Sequence, residues 1–369
     1  MFSIIAFYFK TFFKSLRNWI PILLLSFGII GYCIFFNKTV QGNIVFESEV
    51  GHAPIQRVTF GDDKLTNLES EIDTYYSDEN WKAFYEKTIE YYKSILENNS
   101  NSTNKDMVTD MEKFQYLLEN NLPFIDEFHH NDGLFFLKNI MIEPIVLLIV
   151  ITIIISSSQV FSSEMENKTY KLLYTQPISK TKIFFSKLIS NILVNFFIVI
   201  ALMLVCFIYQ CITKGIGCTK FPVKASISNE LIYLPLIKYV LYEFILLTIL
   251  IIFSCSIGTL ISLLINNSAA AICVSTVFYG LLYILFKNSP TVVIQKYNPG
   301  AYFDINRILA SSPISGLRTI LHSNSQGESL IEGALTNITF LNGIIILSIM
   351  TIIFITIGIF LSNRKKMDN

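Results

Sequence analysis

Charge is scarce in this 369-residue chain: Asp, Glu, Lys and Arg make up only 15% of it, against 52% hydrophobic and 14% aromatic residues. That balance excludes a soluble domain of this length and defines a polytopic membrane protein. Histidine, with four residues, and cysteine, with six, are nearly as scarce, and no CxxC pair occurs. Cys33, Cys206, Cys255 and Cys273 lie inside apolar runs and Cys211 and Cys218 flank one, as small packing residues do. His129, His130 and Asp132 in "FHHNDG" are crowded into one turn without a further partner, so they read as a solvated turn rather than a metal site. No GxxxxGK[ST] phosphate loop is present, since "GIGCTK" lacks the spacing, and neither HExxH nor GxSxG occurs. The chain therefore carries no ATPase or hydrolase motif of its own. Basic and acidic residues balance at 28 each, a balance that hides their segregation along the chain and by itself says nothing about partners; no nucleic-acid partner is expected of a membrane protein of this kind.

What is abundant is long apolar sequence. A bilayer core needs about 20 apolar residues per helix, and six segments qualify: residues 19–36, 140–161, 188–211, 239–265, 269–286 and 338–361. The first follows Lys10, Lys14 and Arg17 but has no small-x-small cleavage site after it, so it reads as a retained anchor. The expected fold is all-α.

Lysine and arginine near the span ends set the orientation. With the N-terminus inside, the inner segments hold Lys10, Lys14 and Arg17, then Lys168, Lys171, Lys180, Lys182 and Lys187, and finally Arg364, Lys365 and Lys366 in the tail 362–369. Both termini are then cytoplasmic, as an even number of spans requires. One connection argues the other way. Residues 212–238 carry Lys214, Lys220, Lys224 and Lys238 against Glu230, yet this topology puts them outside; the three inner clusters outweigh them.

The largest polar piece, residues 37–139, is acidic and belongs outside. "TVQGNIVFESEV" alternates as a short strand would. "NWKAFYEKTIEYYKSIL" puts Trp81, Phe84, Tyr85, Ile89, Tyr92, Ile95 and Leu96 on one helical stripe, and "DMVTDMEKFQYLLE" does the same with Met107, Met111, Phe114, Leu117 and Leu118. A small, mainly helical extracytoplasmic domain follows the first span. Residues 1–18 form an amphipathic helix in the cytoplasmic interface, with Lys10, Lys14 and Arg17 on one face. Breaks at Pro299, Gly300, Pro313 and Gly316 suggest two short outer helices over about 298–322.

Ion-coupled carriers keep ionisable groups in mid-membrane. Only Glu243 lies clearly inside a span, with Glu143 at an edge, and both read as headgroup-level residues. A protein that moves something without a visible energy source points to a partner.

The segment 162–187 between the second and third spans fits that role. A short amphipathic helix over 164–173, acids first and lysines later, suits the helix dipole. It presents Tyr170, Leu172 and Leu173 to a partner groove, and Pro177 stops it. A basic loop that only fixes topology is the plainer alternative. The core "EMENKTYKLLYTQPISK" resembles the cytoplasmic segment of the type-2 ATP-binding-cassette (ABC) transporter permeases: Glu164, Thr169, Leu172, Leu173, Pro177, Ser179, Lys180 and Lys187 match, while Lys168 and Ser186 stand where that family has glycine. The plan of interfacial helix, six spans, domain after the first span and outer helices before the sixth is similar too. The resemblance implies an export permease of a bacterial plasma membrane, pairing with a second permease and docking a separate ATPase that binds ATP and Mg. This chain would then hold no cofactor and would not itself be an enzyme. An abundance of Ile, Asn, Lys and Phe suggests an AT-rich Gram-positive source, where such permeases expel antimicrobial and other peptides. An ion-coupled carrier or channel using Glu243, and a membrane-anchored sensor using the outer domain, remain as rivals.

Overall fold

The structure is a computed structural model describing residues 2–14, 16–41, 53, 55, 63–98, 105–124, 132–170, 178–227, 231–287, 297–310 and 338–364. Its first two helices are α1 (Phe2–Lys14) and α2 (Leu16–Gln41), followed by α3 (Asp63–Ser77), α4 (Trp81–Asn98) and α5 (Lys105–Glu119). Next come α6 (Gly133–Ile140), α7 (Glu143–Ser157), the short α8 (Ser162–Glu166) and the long α9 (Lys180–Lys214). A hairpin of β1 (Pro222–Ser226) and β2 (Leu231–Pro235) leads into α10 (Leu236–Leu264) and α11 (Ser268–Lys287). A 3-10 turn (Pro299–Tyr302), α12 (Ile305–Ala310) and α13 (Phe340–Arg364) complete the described chain.

Six of these stretches are long and apolar enough to cross a membrane: Asn18–Phe35, Glu143–Glu166, Lys180–Lys214, Leu236–Leu264, Ser268–Leu285 and Phe340–Arg364. They coincide with the six expected spans, with one informative shift. The third span starts at Lys180, two turns before the expected residue 188. Lys180, Lys182 and Lys187 hide its beginning from a hydropathy reading, and the burial of Lys187 described below lets the helix run through them. Of the Lys10, Lys14 and Arg17 triplet, Lys10 and Lys14 lie on α1 and Arg17 on α2.

α10 is the central helix, packed on α7, α9, α11 and α13. It approaches α7 closely because both carry small residues there: a Cβ on Gly258 would lie 2.4 Å from Ser157 Cβ. Four polar side chains of α7 and α9 satisfy one another in this core. Ser156 Oγ donates to Asn195 Oδ1 at 2.8 Å, Asn191 Nδ2 to Ser157 Oγ at 2.8 Å, and Asn195 Nδ2 to Asn191 Oδ1 at 2.9 Å. In an apolar medium each bond left unmade would strand a buried polar atom.

At one end of the spans, α3, α4 and α5 pack into the helical domain around Leu68, Ile72, Phe84, Tyr92, Phe114 and Leu117. α3 was not anticipated, since its charged sequence shows only Leu65, Leu68 and Ile72 as an apolar stripe. Of the expected strand, residues 39–41 close α2 and residues 42–50 lie outside the described residues. The same end holds the β hairpin, which the sequence reading did not anticipate. Its Tyr233 hydroxyl donates to Asp110 of α5 at 2.8 Å, and Lys113 of α5 stands over the Phe221 and Tyr233 rings at 5.7 and 5.8 Å. The lysine-bearing connection 212–238 is thus on the side of the helical domain, as the six-span topology requires. The loop before it needs glycine: Gly217 has φ +94° and lies against Asp132, whose carboxylate atoms would be 2.2–2.3 Å from an added Cβ. Asp132 in turn caps α6, accepting from Phe135 N at 2.9 Å. The expected outer helices appear in part, as the 3-10 turn and α12, both largely buried; residues 311–322 lie outside the described residues.

Candidate coupling site around the short helix after the second span

The second span does not run smoothly into the segment that follows it. After Ser157 the chain makes a turn over 158–161 and re-enters helix for the five residues of α8. That geometry exposes backbone N–H groups in a buried place, and a neighbour satisfies them. Ser262 Oγ of α10 accepts from the N–H groups of Phe161 and Ser162 at 2.7 and 2.8 Å.

α8 then sends its two carboxylates in different directions. Glu164 accepts from Lys187 Nζ of α9 and from the Tyr8 hydroxyl of α1. Lys187 is 0% exposed, boxed by the Phe161 ring at 4.1 Å and the Tyr8 ring at 5.0 Å. A lysine so enclosed holds its charge only because a carboxylate and two ring faces replace water. Glu166 reaches the first turn of α11, where its Oε2 accepts from Ser268 N at 3.2 Å and from the Ser268 hydroxyl. A carboxylate there satisfies an orphan N–H and complements the positive end of the helix. Five residues thus tie together α1, α9, α10 and α11.

α8 is shorter than the expected helix over 164–173. Asn167 N donates to Ser163 O at 3.0 Å and Lys168 N to Met165 O at 3.2 Å, and Lys168 takes φ +59°. A left-handed residue ends a helix, and glycine is the residue that fills it at least cost. The chain therefore turns at Lys168, where the type-2 permeases carry glycine, despite the lysine.

The expected coupling residues divide accordingly. Glu164 and Lys187 meet each other; Lys187 is an internal brace and not a solvent-facing contact. Thr169 is exposed, with its hydroxyl 3.5 Å from Glu164 O, and Tyr170 is half-buried. Ser179 stands at the N-cap of α9, exposed and accepting from Thr181 Oγ1 at 3.3 Å, and Lys180 opens that helix half-buried. Leu172, Leu173 and Pro177 lie outside the described residues. Lys10 and Lys14 are exposed on α1, which packs along α9. The sequence reading missed Tyr8, Glu166, Ser262 and Ser268. Only Glu166 left a trace, as the second acid of "EMEN". His129 and His130 lie outside the described residues, and among the described residues no group of three His, Cys, Asp or Glu side chains could hold a metal ion.

Glu243, read from the sequence as a headgroup-level residue, is enclosed by protein. It is 0% exposed within α10, and neither carboxylate oxygen has a hydrogen-bond partner among the described residues.

Six spans, four of them packed around a fifth, α10, with one short helix bonded to three of the six and to the N-terminal helix, define a multi-pass membrane protein. The chain belongs to the family described as ABC-2 family transporter protein, whose pattern matches residues 4–367. It is accordingly a membrane permease of an ABC transporter, a component that works with an ATPase partner. No curated protein and no solved structure matches it.

Proposed function

We propose that this chain is the permease of an ATP-driven exporter that moves amphipathic cargo, peptides among them, out of the cell or its membrane. A second permease and a separate ATPase complete the complex, and the ATPase docks on the segment 167–179. The N- and C-termini and α8 face the cytoplasm of a bacterial cell. The bonding of α8 carries this reading. A short segment that touches α1, α9, α10 and α11 at once turns a push from a docked motor into concerted movement of several spans, whereas a loop that only fixed topology would need none of these bonds. The walls of the spans, rich in Phe, Leu and Ile, suit amphipathic cargo better than small ions.

Co-purification tests the docking. Leu172→Asp removes the ATPase from the purified complex, because a charge in place of an apolar anchor is left desolvated at the contact, while the exposed Lys182→Ala barely weakens it. Full ATPase binding by Leu172→Asp would reduce the segment to a topology signal. A second reading, an ion-coupled carrier, draws on one observation: the enclosed carboxylate of Glu243.

A further inference from the structure

Three lysines on the helical-domain side have no ion pair or hydrogen bond among the described residues, although that side should be poor in basic residues. Lys214 ends α9, Lys220 lies in the connection, and Lys238 is the third residue of α10. The backbone bonds Ile237 N to Thr219 O at 3.2 Å and Leu236 N to Phe221 O at 2.8 Å bracket Lys220 and set it beside the start of α10. All three side chains are exposed, and Glu230 is the one acid in the connection 212–238. The helix dipole accounts for Lys214 at a C-terminus, but it disfavours Lys238 in a first turn. Apolar side chains close to them in the chain are exposed as well: Ile212 is 79% exposed, Ile237 40% and Leu241 55%. Ile216 is 62% exposed although it sits in a loop, between two left-handed glycines, Gly215 and Gly217. An isoleucine held out at a loop tip beside free lysines suits the boundary between acyl chains and headgroups.

We propose that Lys214, Lys220 and Lys238 form a site for the phosphate of an anionic phospholipid headgroup in the leaflet on the helical-domain side, with Ile216 inserted among its acyl chains. Lysine donors supply charge for a phosphodiester, and the acyl chains cover the isoleucines. This anchor holds the outer ends of α9 and α10 at a fixed depth while their other ends follow α8. It stands independently of the docking assignment.

The test replaces Trp19 and Trp81, the two native tryptophans, with Phe and introduces Ile216→Trp as a reporter in the full chain. The protein is reconstituted in phosphatidylcholine vesicles containing a small fraction of brominated phosphatidylglycerol or, separately, of brominated phosphatidylcholine. The expected result is quenching at residue 216 by the anionic lipid about threefold or more above that by the zwitterionic lipid, a scale set by the attraction of a few lysines to anionic lipid. The preference falls to parity in Lys214→Gln/Lys220→Gln/Lys238→Gln and persists in Lys180→Gln/Lys182→Gln at the other end. Should the triple variant fold poorly by size exclusion, Lys220→Gln alone must lower the preference, and raised salt must lower it in the parent. Equal quenching by the two lipids, or none by either, overturns the proposal. Loss of the preference on adding millimolar inorganic phosphate at constant ionic strength would make this a free-anion site and also overturn it.

Discussion

Lys187 and Glu164 meet across twenty-three residues of chain, closing the segment between the second and third spans into a loop with a bonded neck. The lysine is fully enclosed, whereas the carboxylate side chain keeps 20% of its exposure and a second bond from Tyr8. That asymmetry has a measurable consequence. Glu164→Ala strands a buried ammonium and should cost about 3–5 kcal/mol, the usual penalty for breaking a buried pair from one side. Lys187→Met should cost less, because Glu164 retains water and Tyr8. Glu164→Gln/Lys187→Met should recover most of the loss. Thermal unfolding of the purified permease gives the order; a larger loss in Lys187→Met than in Glu164→Ala would contradict the burial.

Lys168 provides an independent check on the end of α8. A non-glycine residue in the left-handed region carries a cost of about 1–2 kcal/mol, and Lys168 is exposed with φ +59°. Lys168→Gly should therefore raise the unfolding midpoint and Lys168→Val should lower it. Identical midpoints for the three proteins would mean that the chain does not turn there.

The orientation assigned from the basic clusters can be read by labelling. Glu97 of the helical domain and Lys182 of α9 are both exposed and lie at opposite ends of the spans. In a background without native cysteines, a membrane-impermeant thiol reagent on intact cells should label Glu97→Cys and leave Lys182→Cys untouched until the cells are opened. The reverse pattern would invert the topology and put the proposed ATPase surface outside.

Glu243 separates the exporter from the carrier. Its enclosed carboxylate is a costly group to keep in a span, and an ion-coupled mechanism would explain why it is kept. In an ATP-driven exporter Glu243→Gln should leave transport within a few-fold of the parent, with an unchanged pH profile. Complete loss of transport at normal protein levels, with ATP hydrolysis intact, would favour ion coupling.

The spans were legible because twenty or so apolar residues in a row have few other uses, and their order alone set which connections share a side. α4 and α5 were legible for a related reason: Phe84, Tyr92 and Phe114 recur at helical spacing and are all buried. The β hairpin was not, since β1 and β2 are five residues each and are held by contacts with α5 and α12 that no local pattern announces. In the coupling site, Glu164 and Lys187 stood out by resemblance, but their mutual bond did not, because a lysine beside an apolar run reads as the edge of the membrane. Asn191 and Asn195 escaped notice as two amides in an otherwise apolar helix, although spacing of four puts them on one face. Ser262 and Ser268 were invisible, since a serine becomes informative only when the orphan N–H or carboxylate it meets is known.

Glu166 gives the last prediction, because its bond to Ser268 is the contact by which α8 holds α11 at its first residue. Asn267 already caps that helix, its Oδ1 accepting from Ala270 N at 3.0 Å, so losing Glu166 should leave α11 folded and remove only its tie to α8. A charge-assisted hydrogen bond of this kind contributes about 1.5–3 kcal/mol, enough to bias the position of a helix end but not to decide whether the protein folds. Glu166→Ala should therefore keep the ATPase bound and hydrolysing, while movement of α11 uncouples from it. Cys273, exposed on α11 five residues beyond Ser268, is a native reporter once the other cysteines are replaced. In the parent complex the rate of thiol labelling at Cys273 should change on adding ATP with vanadate. Glu166→Ala should abolish that change, and Glu166→Gln, whose amide oxygen still accepts from Ser268, should preserve most of it. An undiminished ATP-dependent change in Glu166→Ala would show that α11 is driven through α10 or α9 instead, whereas loss of ATPase association would place Glu166 on the docking surface itself.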